Sequence, residues 1–349
     1  VGGNMKTVHL VCACRPNFMK IAPLYHALKK TDWCEPVLVH VRQHTDKSMT
    51  TDIQRELGLP LVTQFESYEA ALGFLGQPDA VVVPGDVNVS ADSAITASRR
   101  GIPVVHLEAG LRSGDRSMPE EINRVVIDHV SDLLWTSEDS GDWNLAVEGV
   151  KRERVNSVGN IMIDTLEMMR PKIEAMSVRK GHYAVATLHR PSNVDDKGKL
   201  LALLVYLQGV TELMPVFFPC HPRTLQRMRE FGFTNGSMHL LPPLPYVEFM
   251  ALVKNATIVI TDSGGVQEET SYLGVPCATV RENTERPITI SHGTNELIRP
   301  EQIVGAAREA LAGRWKKGGP IPRWDGNTAL ACVDALKNFL LPQKGLEHE

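Results

Sequence analysis

Short apolar, β-rich runs alternate with longer stretches of helical periodicity along the first half of the chain. TVHLVCA at 7–13, PVLVHV at 36–41, DAVVVPGD at 79–86, PVVHLEAG at 103–110 and DLLWTS at 132–137 read as strands. Between them PLYHALKK, ADSAITASRR and PEEINRVVIDHV read as helices. Apolar runs of this length separated by amphipathic segments predict β-α units on a parallel sheet. The pattern pauses after GNIMIDTLEMMRPKIEAMSVRKG and restarts with YAVATLHR, PVFFPCHP, MHLLPP, ATIVITDSGG and PCATVREN, so a second sheet of the same kind is expected. The boundary falls within residues 165–182, giving domains at 1–170 and 171–325. A final helix over 326–345, carrying TALACVDALKNFLL, either caps the second domain or crosses back to the first.

Size agrees with two cores, since 349 residues exceed what one hydrophobic core usually serves. With 37 basic against 41 acidic residues the net charge is −4, which gives no general attraction to nucleic acid or to an anionic membrane. An anionic ligand must therefore be held locally, by arginine, histidine and helix N-termini. The six cysteines Cys12, Cys14, Cys34, Cys220, Cys277 and Cys332 lack paired metal-ligand spacing and read as reduced thiols of a cytoplasmic protein. No apolar run long enough to span a bilayer and no secretory leader is found, so neither membrane insertion nor export is expected. GxxxxGK[ST], a GxGxxG in the first β-α turn and GxSxG are all missing, which removes weight from ATP hydrolysis, nicotinamide hydride transfer and serine esterase chemistry. Nucleotide-sugar reactions remain.

Parallel sheets place ligands at the carboxyl ends of their strands, and the polar residues sit there. In ITDSGGVQEETSYLG a strand gives way to Asp262, Ser263, Gly264 and Gly265, after which a helix can run to Gly274. Ser263 can cap that helix, and two glycines let backbone N–H groups approach a phosphate; simple helix capping is the competing reading. CACRPNFMKIAPL puts Arg15 directly after a strand, with Lys20 about one turn on, a surface arginine or an anion clamp. TLHRPSN supplies His189 and PCHPRT supplies His221, two strand-end imidazoles suited to a proton or a hydrogen bond, whereas no spacing pins a metal.

Asp86 follows VVVPG, and Glu108 opens HLEAGLRSGDRSMPEEINR, a segment dense in carboxylates and arginines. Ser117-Met118-Pro119-Glu120 fits the S-x-x-E capping box, which gives Glu120 a local role without excluding a chemical one, and Glu121 can pair with Arg124 or Arg112. Carboxylates crowded near a phosphorylated ligand make sense if their task is proton transfer remote from the phosphate. Clustering and burial would raise at least one of their pKa values, setting an acid beside a base.

With CRPNFMKIAPL, RQH, PGDVN, HLEAGLRSGDRSMPEEINR, VGNIMIDTL, TLHRPSN, CHPRT, TDSGGVQEE and ENTERP in order, the chain resembles the non-hydrolysing UDP-N-acetylglucosamine 2-epimerase family over nearly its whole length. The resemblance implies an α/β fold of two Rossmann-like domains in the glycosyltransferase B architecture, an interdomain cleft holding the UDP-sugar, and a homodimer. It implies no cofactor, nicotinamide or metal. C2 deprotonation and loss of UDP from C1 would give 2-acetamidoglucal, and proton return to the opposite face with UDP re-addition would complete inversion. By motif position, Asp86, Glu108 and Glu120 are the implied acid/base group, and His189 would stabilise or protonate the departing diphosphate. Arg15, Ser263, Gly264 and Gly265 would lie near the diphosphate, and Glu269 would accept from the ribose. Arg112, Gln43, His44, His221, Glu285 and Arg286 are further implied substrate contacts.

Departures from the family pattern fall around these motifs. Asn17 stands where GTRPE has its glutamate, GDT is GDVN, Ser192 replaces the acid of HRxEN, and Ile288 replaces that of TERPE. The connection over residues 60–79 is shortened as well. They bear on substrate choice and leave open a hydrolysing relative releasing N-acetylmannosamine and UDP, an epimerase for a modified UDP-hexosamine, a sugar transferase, and a nucleotide-sugar-binding protein without turnover.

Overall fold

In the computed structural model, which describes residues 5–42, 48–177, 179–233 and 236–342, the chain divides into two α/β units. The first extends up to Met168 and resumes at Pro322, and the second is Met169–Ile321. Strands β1 (Lys6–Cys12), β2 (Cys34–Val41), β3 (Gln64–Phe65), β4 (Ala80–Pro84), β5 (Val104–Ala109), β6 (Leu133–Thr136) and β7 (Val155–Ser157) form the first sheet, in the order β3-β2-β1-β4-β5-β6-β7. All its pairings are parallel, with Leu10 opposite Leu38 across β1 and β2 and Val82 opposite Val105 across β4 and β5. Because both faces are covered by helices, these strands are apolar throughout. Val11, Val39, Val81 and Val83 share a core with Ala94, Ala97 and Ile127 of the helices Asn88–Arg99 and Pro119–Val130.

The second unit repeats the topology. Strands β8 (Ala184–Thr187), β9 (Val216–Pro219), β10 (His239–Leu241), β11 (Ile258–Thr261), β12 (Cys277–Thr279) and β13 (Asn295–Leu297) lie in the order β10-β9-β8-β11-β12-β13, again all parallel. The helix Lys197–Val210 shows how sequence builds this layer. Asp196 accepts a hydrogen bond from the Lys199 N–H at 2.8 Å and starts the helix, and Leu200, Leu203, Leu204 and Leu207 at helical spacing bury one face against Phe218, Ile258 and Ile260. Each such leucine contributes about 1.5–3 kcal/mol of burial. The helix Thr328–Leu340 belongs to the first unit: it packs on the helix Arg15–Leu28, and the Asp164 carboxylate accepts from the Thr328 and Ala329 N–H groups at 3.1 and 2.7 Å. No helix among the described residues is long and apolar enough to cross a membrane.

Candidate functional site

In the first unit the chain runs outward from β1 to β3 and then restarts at β4 on the other side, so the order reverses between β1 and β4, where α/β sheets bind ligands. Arg15 is the first residue of the helix after β1, with Pro16 in its first turn. Asn17, in place of the family's glutamate, is buried. Its Oδ1 accepts from the Ala13 N–H at 3.2 Å and its Nδ2 donates to the Pro84 carbonyl at 3.4 Å, a bond a carboxylate has no proton to make. It joins the ends of β1 and β4. Asp86 follows that end and is held by the Arg124 Nη2 at 2.5 Å.

Glu108 is in left-handed backbone, φ 79°, at the point where the β5–β6 register shifts by a bulge, and its side chain is buried. A non-glycine residue in that region is strained, and bulges re-aim side chains; both recur at functional sites. Its carboxylate forms an ion pair with Lys20, which sequence reasoning placed one turn beyond Arg15 and left outside the site. Gly85 makes room for that pair: it has φ 65°, and a Cβ there would meet Lys20 Nζ at 2.8 Å and Glu108 Oε2 at 3.6 Å. The two carboxylates nearest the switch point are thus each joined to a cation.

Glu120 is exposed in the first turn of the helix Pro119–Val130. The expected capping box does not form: the N-cap is Met118, and the Ser117 hydroxyl donates instead to Asp115 Oδ1 at 2.6 Å. Asp115, two residues back, offers a charged acceptor, and Pro119 still occupies the first turn as expected. Of the two partners open to Glu121, the structure selects Arg124, at 2.8 Å. Glu121 also accepts from the Ser113 and Gly114 N–H groups, each at 2.9 Å, so burial pushes its pKa up but these bonds and Arg124 bring it below the usual value. Arg112 is committed within the protein, to Glu148 at 2.7 and 2.8 Å and to Asp128 at 2.8 Å. Gln43 and His44 lie outside the described residues.

Beneath these groups is a buried hub that sequence reasoning missed. His106 Nδ1 lies 2.5 Å from Asp128 Oδ1 and its Nε2 lies 2.8 Å from the Gly85 carbonyl, while Asp128 Oδ2 accepts from the Gly110 N–H at 3.1 Å. Both side chains are fully buried. Burial alone would raise the Asp128 pKa, but His106 and Arg112 hold it below the ordinary carboxylate range. The hub ties β5 and the helix Pro119–Val130 to the residue preceding Asp86.

In the second unit the order reverses between β8 and β11, and the polar residues collect after those strands. Asp262 directly follows β11 and is fully buried; its carboxylate accepts from His189 Nδ1 at 2.9 Å, the His189 N–H at 3.1 Å, the Arg190 N–H at 3.0 Å and Asn193 Nδ2 at 3.2 Å. His221 is brought to the same place, its ring centroid 6.2 Å from that of His189, and burial, His189 and Arg223 lower its pKa. Its Nδ1 accepts from the Arg223 N–H at 3.2 Å, capping the helix Pro222–Glu230.

The helix Gly264–Leu273 begins and ends as expected, with Gly274 in left-handed conformation at its C-cap. Ser263 is its N-cap residue, but its hydroxyl makes no capping bond; Thr261 Oγ1 instead accepts from the Ser263 N–H at 3.0 Å. Glu285 is buried against the turn and pairs with Arg190 at 3.1 Å and Arg281 at 2.7 Å. Burial works against its charge, yet Arg286, Arg281 and Arg190 hold its carboxyl far below the usual range. Arg286 pairs with Glu268 at 2.6 Å, and Glu269 accepts from the Tyr246 hydroxyl at 2.9 Å. The turn therefore combines a helix N-terminus with a lattice of arginines and buried carboxylates.

Comparison with known proteins identifies the family. A sequence model described as UDP-N-acetylglucosamine 2-epimerase matches residues 26–337. The UDP-N-acetylglucosamine 2-epimerase of Methanocaldococcus jannaschii is 36% identical over 344 residues, covering 86% of this chain and 91% of that protein. Its crystal structure in complex with UDP-GlcNAc and UDP superposes with a TM-score of 0.84 at 32% identity, covering 95% of this chain and 99% of the other. The UDP-2,3-diacetamido-2,3-dideoxy-D-glucuronate 2-epimerase of Pseudomonas aeruginosa is 32% identical over 330 residues, covering 88% of this chain and 92% of that protein.

Proposed function

Because the chain belongs to the UDP-N-acetylglucosamine 2-epimerase family, we propose that it interconverts UDP-N-acetylglucosamine and UDP-N-acetylmannosamine without hydrolysis. The diphosphate is assigned to the second unit, at Ser263, Gly264 and Gly265 with His189, and proton transfer at C2 to Asp86, Glu108 and Glu120 of the first. A carboxylate takes the C2 proton, the C2–H electron pair becomes the C1=C2 double bond, and the C1–O pair leaves with UDP, which His189 protonates, so that 2-acetamidoglucal remains. Return of a proton to the other face of C2 and re-addition of UDP at C1 inverts the centre. Arg15 contributes a fixed guanidinium fork toward phosphate oxygens, and Glu269 accepts from ribose hydroxyls.

The observation that supports this reading best is Glu108: a buried carboxylate held in strained backbone and paired with Lys20 at the end of a central strand, a combination that packing alone does not call for. The six unpaired cysteines support a cytoplasmic setting, and a homodimer is proposed, to be read as twice the chain mass by sedimentation. The test is incubation with either UDP-sugar and NMR of the products. The same mixture of the two UDP-sugars should be reached from both sides. Free N-acetylmannosamine with equal UDP would make the protein a hydrolase. Turnover confined to UDP-2,3-diacetamido-2,3-dideoxyglucuronate would support the modified-sugar reading favoured by the Pseudomonas relative.

Gly264→Ala tests the nucleotide half. A Cβ at Gly264 would lie 2.6 Å from Glu285 Oε1, which pairs with Arg190 while Oε2 pairs with Arg281, so either the carboxylate or the turn must shift. UDP affinity measured by calorimetry is expected to fall about tenfold or more, while the overpacking destabilises by about 1–3 kcal/mol. Unchanged affinity would move the diphosphate away from this turn.

A further inference from the structure

We propose that Asp262 is a positioning residue for the reaction: it fixes His189 as the Nδ1–H tautomer, so that Nε2 is the nitrogen that exchanges a proton with the departing and returning diphosphate. The inference rests on the function proposed above and deepens it. Asp262 is fully buried and receives only donors, five hydrogen bonds from His189, Arg190 and Asn193. Burial would raise its pKa, but the His189 bond and charge, with the Arg190 N–H, bring it below the ordinary value, so it is a carboxylate that can only accept. A nitrogen 2.9 Å from such an oxygen must carry hydrogen, which settles the proton on Nδ1.

The other half of the ring is the half that chemistry can use. Among the described residues none bonds His189 Nε2, and the side chain is 42% exposed while Asp262 is fully enclosed. When the ring is protonated, Nε2–H donates toward an anion and Asp262 offsets the imidazolium charge. After UDP has taken that proton, the ring is left as the neutral Nδ1–H tautomer, whose Nε2 lone pair recovers the proton as UDP re-adds. No reorientation is needed in either direction, because the Asp262 bonds to the His189 and Arg190 N–H groups also fix the backbone that carries the ring. This is the logic by which a buried carboxylate orients a catalytic imidazole in hydrolases.

Asp262→Asn separates positioning from architecture. The amide oxygen still accepts from the backbone, but an NH2 turned toward Nδ1 forces a lone pair there and moves the ring proton to Nε2, the wrong tautomer for proton recovery. Turnover is expected to fall about 10²-fold or more, with KM for the UDP-sugar changed less than about threefold. His189→Ala should lose a similar factor, and the double variant should be within about threefold of His189→Ala alone, because Asp262 acts only through that ring. Full turnover in Asp262→Asn, or losses that multiply in the double variant, would overturn the assignment. Nitrogen-15 correlation spectra of His189 in the wild-type protein, at a pH where the ring is neutral, give a reading that does not depend on a variant folding: Nδ1–H supports the proposal and Nε2–H refutes it. A wild-type protein inactive on every UDP-hexosamine would instead refute the proposed function while leaving the tautomer reading to stand or fall by itself.

Discussion

Glu108→Gln is expected to slow turnover by about 10²- to 10⁴-fold while UDP still binds. The substitution preserves volume and one hydrogen-bonding oxygen, and it leaves the residue in the same left-handed backbone, so packing around β5 is kept. Two things are lost. An amide cannot take or return the C2 proton, and Lys20, nearly buried at 12% exposure, faces a neutral partner. That second loss gives a control, since Lys20→Met in the Glu108→Gln background removes the cation that faces the neutral amide. Restored stability without restored turnover would show that the carboxylate itself does the chemistry. Turnover at the wild-type rate in a folded Glu108→Gln protein would remove Glu108 from the mechanism, and with it the residue on which the functional reading most depends.

Asp128→Ala carries the largest expected effect on stability, about 3–5 kcal/mol, because it strips a buried anion from Arg112 and His106. Urea unfolding followed by circular dichroism measures it. The pH dependence has a definite sign. The folded-state pKa of Asp128 is depressed, so its contribution is fully present above the unfolded value of about 3.9 and is lost as pH falls through the lower folded value. Wild-type stability should therefore drop on acidification below about pH 4, and the variant's stability should drop less over the same interval. Turnover should suffer as well, since His106 would no longer be held against the Gly85 carbonyl next to Asp86. A variant as stable as wild type at neutral pH would show that the hub is dispensable.

Much of the architecture was legible because a doubly covered parallel sheet writes itself as apolar runs at regular intervals. The strands that escaped are β3, β7 and β13, of two or three residues each, too short to form a run and recognisable only by their neighbours in the sheet. The candidate site was legible where one residue announces a turn or a strand end: Asp86, Glu108, His189 and the Ser263-Gly264-Gly265 turn are all found there. What stayed hidden is pairing. Lys20 with Glu108, His106 with Asp128 and His189 with Asp262 are separated by 88, 22 and 73 residues in the chain, and each pair meets only because the sheet aligns its elements. Local rules also lost to nearby charge. Ser117 satisfied every spacing requirement of a capping box, yet its hydroxyl took the carboxylate of Asp115 over the N–H groups of the helix.

By the proposed route, the C2 hydrogen leaves to one carboxylate and a proton that has exchanged with the medium takes its place from the other face. Incubation of the protein with UDP-N-acetylglucosamine in heavy water, followed by NMR of the UDP-sugars, tests this directly. UDP-N-acetylmannosamine carrying deuterium at C2 is the expected product, with the label also entering the remaining UDP-N-acetylglucosamine. UDP-N-acetylmannosamine that keeps the original C2 hydrogen would contradict proton transfer through the side chains of Asp86, Glu108 and Glu120.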